Sequence, residues 1–107
     1  MMPALEYIKN KAPESKLFGQ NNIYIGEFGI AENLAGADMQ LKSTREIVEK
    51  GMEFGSPYIV FWEVYCDGPA REYEPATTNI DCWGNWLVRP DGTKPPVYDY
   101  FKELCAR

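Results

Sequence analysis

A strand–helix–strand run in the middle of the chain constrains the fold more than any other feature of the sequence. Ile23-Tyr24-Ile25-Gly26-Glu27-Phe28 is a β-branched and aromatic run closed by Gly29, and it reads as a strand. From Asp38 to Phe54 the apolar spacing becomes helical, with Leu41, Val48 and Met52 on one stripe and Ile47 alongside. Asp38 or Ser43 suits the cap, Ser43 with Glu46 fits a capping box, and Gly55-Ser56-Pro57 stops the helix. Tyr58 to Tyr65 then reads as a second strand, apolar at nearly every position. Parallel α/β sheets bury both faces of a strand and give it this composition. A crossover of this kind is parallel and right-handed in nearly all cases.

The flanks supply less. Leu5 to Lys11 looks like the end of an amphipathic helix with Leu5 and Ile8 on one stripe. Ala12-Pro13 stops it, because the residue before proline is pushed out of helical angles. Cys66 to Pro95 is a thirty-residue connection rich in aromatics and turn formers, a length that is uncommon in compact domains and often functional. Within it, Asn85 to Lys94 is predicted to form a small hairpin around Asp91-Gly92. Pro96 to Leu104 reads as a helix opened by proline, with Val97, Phe101 and Leu104 as its core stripe.

The order is therefore α-β-α-β-α, and residues 1–107 are expected to form a single partial domain. Two parallel strands cannot make a stable sheet unaided, since both faces and both edges need cover. The chain is thus expected to be completed by other protein. The sequence points to a homo-oligomer, most simply a two-fold dimer that pairs sheet edges or packs interior faces, or to a missing N-terminal part.

Charge and composition remove several functions. Eleven basic against sixteen acidic residues leave a formal net charge of −5, with no basic cluster, so a nucleic-acid partner and a polybasic membrane site are disfavoured. The longest apolar stretch, around Tyr58 to Val64, is too short to span a bilayer. The start of the chain lacks the basic region and apolar core of a secretory leader. There is no histidine, which excludes imidazole-based nucleophilic catalysis and histidine-ligated zinc. Cys66, Cys82 and Cys105 form no CxxC pair; in a secreted chain Cys66 and Cys82 could pair across the loop they bracket, but the preferred reading is three free, partly buried thiols, and no metal site is expected.

Acid/base or nucleophilic work therefore falls to carboxylates, Lys, Tyr or Cys. Glu27 continues an apolar row at the C-terminal end of its strand, sharing a face with Ile23 and Ile25, where parallel α/β proteins place their active sites. The competing reading is an ion-paired or solvated strand-end carboxylate. Trp62 and Tyr65, at the end of the second strand, suit stacking on a flat, CH-rich ligand, although a lone strand Trp is more often core. The long loop adds Tyr73, Trp83 and Trp86 among Asp67, Asp81 and Asn85, a mixture that fits either polar ring-shaped ligands or a self-packed loop.

Taken in order, these pieces resemble a family. Ile23-Tyr24-Ile25-Gly26-Glu27-Phe28-Gly29 resembles the seventh strand of retaining glycoside hydrolases of the large (β/α)8 clan that includes the cellulase family. Tyr58 to Tyr65 with Trp62 resembles their eighth strand, and Asn85 to Tyr98, with Pro90-Asp91-Gly92-Thr93, is similar to the run into their last helix. The resemblance implies an α/β fold, the C-terminal portion of a TIM (β/α)8 barrel: helix 6, strand 7, helix 7, strand 8 and helix 8. It implies Glu27 as the catalytic nucleophile, and Trp62, Tyr65, Trp83 and Trp86 as substrate-binding residues for a β-glycan or oligosaccharide, with no cofactor. The family's acid/base glutamate lies on the fourth strand, upstream of anything present here. Neither Glu32 nor Asp67 occupies that position, so the chain alone is expected to be inactive. The alternative is a non-catalytic carbohydrate-binding or interaction α/β module that keeps the aromatics.

Overall fold

The computed structural model describes residues 1–19, 22–65 and 84–107. Along the chain run α1 (Met2–Lys11), β1 (Ile25–Phe28), α2 (Glu32–Ala35), α3 (Ala37–Phe54), β2 (Ile59–Phe61) and α4 (Pro96–Cys105). The protein is a mixed helix-and-strand chain whose sheet has two parallel strands, α/β in the loose sense. The chain divides into two compact units: Met1–Phe28 with Glu46–Val60, and Gly29–Arg45 with Phe61–Arg107. Helix α3 contributes its second half to the first unit and its first half to the second.

In the first unit, α1 has a proline in its first turn, where the missing N–H costs nothing, and ends at the extended Ala12 before Pro13. Leu5 is buried, but Ile8, expected beside it, is exposed. Helix α3 lies close against both strands because Gly51 has no side chain. A Cβ there would sit 2.7 Å from Ile59 Cδ1 and 2.8 Å from Ile25 Cδ1. The helix closes in a Schellman motif, with Gly55 at φ +83°, its N–H bonded to Met52 O and the Ser56 N–H to Gly51 O, both at 3.0 Å. Phe54 is buried under the Lys9 ammonium, 5.5 Å from its ring centroid.

Both strands are shorter than the sequence suggests. Strand β1 begins at Ile25, whose N–H donates to Tyr58 O at 3.0 Å. Nor is β2 buried on both faces: Ile59 turns toward Gly51, while Tyr58 and Val60 are exposed. Its apolar composition is therefore half uncovered among the described residues.

The second unit explains why β2 stops at Phe61. The next residues pair with a later segment instead: Glu63 N–H donates to Asn85 O at 2.6 Å, Val88 N–H to Val64 O at 2.9 Å, and Tyr65 forms a parallel bridge with Val88. This pairing also replaces the hairpin expected over Asn85 to Lys94. What remains of that hairpin is a tight turn, with Arg89 N–H bonded to Thr93 O at 2.9 Å and Gly92 at φ +83°.

Helix α4 starts at Pro96 as expected and buries Val97 and Tyr100; Phe101 meets Phe61 at 5.0 Å between ring centroids. Helix α3 starts at Ala37, so Asp38 sits in its first turn and Ser43 lies mid-helix, where it caps nothing. The buried side of α3 runs Gln40, Thr44, Val48, Gly51 and Phe54, and Met52 is exposed. The apolar stripe read from the sequence is thus rotated, and two of the five buried residues, Gln40 and Thr44, are polar.

Candidate functional site

Glu27 is the third residue of β1 and is exposed, near the strand's C-terminal end. It follows Gly26, over which the Tyr24 ring packs so closely that a Cβ would lie 3.1 Å from Cε2. Two residues further on, Gly29 opens the second unit. A Cβ at Gly29 would overlap the carbonyl oxygen of Trp62 and touch the Asn85 side chain at 3.4 Å. Only glycine lets these backbones approach so closely.

The exposed aromatic residues of the second unit stand on that contact. Trp62 is 43% and Tyr65 66% exposed, and both belong to the segment bonded to residues 85–88. The Trp62–Glu63 peptide is cis. Asn85 O, which accepts the Glu63 N–H, is held from both sides. Gln40 Nε2 donates to Gly84 O at 3.0 Å and reaches Trp86 O at 3.4 Å, and also bonds Ile30 O at 3.0 Å. Glu32 N–H donates to Gly84 O at 3.0 Å. Gly84 adopts φ +89°, and a Cβ there would come within 2.9 Å of the Glu32 nitrogen.

Glu32 is the centre of this clamp. Its carboxylate accepts Trp86 Nε1–H at 2.7 Å and pairs with the Arg89 guanidinium through Nε at 3.0 Å and Nη2 at 2.5 Å. The pair is charge-assisted and forked, which fixes direction as well as distance. The Glu32 hydrogen bond raises the Arg89 pKa above its ordinary value while burial opposes it, so the cation stays charged throughout the accessible range. On the turn that follows, Asp91 accepts Thr93 Oγ1–H at 2.6 Å and Thr93 N–H at 2.9 Å, and these bonds hold its carboxyl below the ordinary range.

These contacts revise the candidates. Trp86, expected to line a sugar subsite, is fully buried with its indole N–H on Glu32; neither ring face is open, and it is a core residue. Glu32 is committed to an ion pair and is not a free acid. Trp83 lies outside the described residues, as do Tyr73, Asp67, Asp81, Cys66 and Cys82. Cys105 is a free thiol but exposed, not partly buried. Among the described residues no three Cys, His, Asp or Glu side chains converge as metal ligands, and no helix is long and apolar enough to cross a membrane.

The clamp was not legible in the sequence. The side-chain bonds that tie Glu32 and Gln40 to residues 84–89 span 44 to 57 residues, so no local period or motif links the two groups. Comparison with protein-family models, with curated proteins and with solved structures gives no match for this chain.

Proposed function

We propose that this chain is the C-terminal portion of a TIM (β/α)8 barrel belonging to a retaining, cellulase-like glycoside hydrolase, with Glu27 as its nucleophile. The observation that supports this reading best is the exposed Glu27 carboxylate near the C-terminal end of the first strand of a parallel β-α-β unit. The Glu27 oxygen attacks the anomeric carbon. The C–O bond to the leaving group breaks as the glycosyl ester forms, and the leaving oxygen takes a proton from a second carboxylic acid. Retaining hydrolysis needs the two carboxyls roughly 5–5.5 Å apart. With Glu32 paired, that acid is supplied by the rest of the barrel. Trp62 and Tyr65 offer open ring faces for the sugars of a β-glycan, and the chemistry needs no cofactor.

The chain alone is expected to show no turnover of a natural β-glycan, because a positioned general acid contributes about 10²–10⁴-fold. An activated fluoro-sugar glycoside bypasses that acid, since its leaving group departs unprotonated, and it stalls at the ester. Peptide mapping after incubation should find one sugar on the Glu27 peptide and none in Glu27→Gln. A label elsewhere, or no label at all, overturns the assignment of Glu27. The second reading, a non-catalytic glycan-binding module, is favoured by the exposure of Trp62 and Tyr65. Saturable glycan binding without any label would establish it.

A further inference from the structure

Away from the C-terminal end of β1, the first unit carries an open aromatic groove of about 550 Å³, within the range of small-ligand sites. It sits at the N-terminal ends of the strands, since Tyr24 directly precedes β1 and Tyr58 directly precedes β2. The two tyrosines are 60% and 58% exposed, yet each ring is held by a neighbour. Phe18 meets Tyr58 edge-on, with centroids 5.9 Å apart and planes at 85°. The Tyr24 ring lies over the bare Gly26 backbone.

Phe18 is itself set by local bonding. Ser15 and Gly19 exchange backbone hydrogen bonds of 3.0 and 2.8 Å, Gly19 takes φ +57°, and Ser15 Oγ accepts the Leu17 and Phe18 N–H groups at 3.2 Å. The loop carrying Phe18 is thus closed on itself. Aromatic rings oriented before a ligand arrives lose little freedom on binding.

The polar lining narrows the ligand. Glu14, Ser15 and Asn22 share the groove with the rings, and no lysine or arginine is among its described lining residues. A carboxylate in a chain of net charge −5 repels anions. Proline-rich peptides, the usual occupants of aromatic grooves, carry few N–H donors to offer a carboxylate. A neutral saccharide presents flat C–H faces to the rings, hydroxyl donors to the Glu14 carboxylate, and hydroxyl oxygens that accept the Ser15 Oγ–H, all on the same molecule.

We propose that this groove binds neutral oligosaccharides through Tyr24 and Tyr58, as a site separate from Glu27. It stands whether or not Glu27 is a nucleophile, because none of its residues belongs to the proposed catalytic set.

The test is a titration of the full 107-residue chain with cellotetraose, xylotetraose and mannotetraose, followed by amide chemical shifts. At least one sugar should give saturable shifts at residues 14–19, 22–24 and 57–58. Tyr58→Ala and Tyr24→Ala should each weaken that binding about tenfold, the scale of one lost ring contact. Tyr58→Phe, which keeps the ring, should stay near wild type and serves as the folded control. Trp62→Ala should leave these shifts intact, which separates this site from the proposed catalytic one. The proposal is overturned if no sugar shifts these amides. It is equally overturned if a proline-rich peptide shifts them and the sugars do not, or if both Tyr→Ala variants, folded by their amide spectra, bind as wild type.

Discussion

Truncating Glu32 to alanine should destabilise this protein strongly, because it breaks a buried ion pair and strands a buried indole at once. The carboxylate is 5% exposed and Arg89 20% exposed. Removal leaves the indole N–H of the fully buried Trp86 without its acceptor, a loss of about 1–3 kcal/mol. It also strands a partly buried guanidinium. Breaking a buried pair from one side costs about 3–5 kcal/mol. Arg89 keeps a bond to Thr93 Oγ1 at 3.2 Å and some contact with solvent, which places this case at the low end. The low ends of the two losses sum to about 4 kcal/mol, against a domain margin of about 5–15 kcal/mol. For a chain of this size that corresponds to a fall in Tm of about 16–32 °C. Glu32→Gln keeps one acceptor oxygen, enough for Trp86, but gives up the charge and the second oxygen that Arg89 shares, so it should cost less than Glu32→Ala but more than a surface change. Urea unfolding followed by far-UV circular dichroism measures both variants. A Glu32→Ala protein within about 0.5 kcal/mol of wild type, the usual spread for surface substitutions, would refute the account of the clamp.

Two glycines should respond differently to the same substitution. Gly29→Ala drives a Cβ into the Trp62 carbonyl, which only backbone movement relieves, and should cost about 1–3 kcal/mol. Gly51→Ala meets the side chains of Ile25 and Ile59 rather than backbone and gains about 1 kcal/mol of helix propensity, so its net cost by the same urea assay should be smaller. The Asp91–Thr93 turn should loosen in acid. With its folded pKa depressed below the ordinary 3.8, Asp91 favours the folded turn above that value, and the contribution is lost as the pH falls through the folded value. The Thr93 amide shift should therefore titrate with a midpoint below 3.8, moving up toward it in Thr93→Val. A sheet of two strands is small, so sedimentation at micromolar concentration should show a dimer; a compact, cooperatively melting monomer would exclude it.

Local chemistry wrote the elements into the sequence. Pro13 and the Gly55-Ser56-Pro57 stop bound their helices, Pro96 opens α4, and β-branched runs mark both strands, because each signal acts over a few residues. The order α-β-α-β-α and the place of Glu27 near the end of its strand were legible for the same reason. The short helix α2 was not, having a single turn and no apolar period. Tertiary structure decided the rest. It turned the buried side of α3 onto Gln40 and Thr44, where Gln40 Nε2 donates to the carbonyls of Ile30 and Gly84, a pairing that only a folded chain brings about. It ended β2 at Phe61 by offering residues 85–88 as a better ladder for the residues that follow. It also took Trp86 and Glu32 out of the list of chemical groups by pairing them across 54 residues, since a long-range partner leaves no trace in the spacing of either.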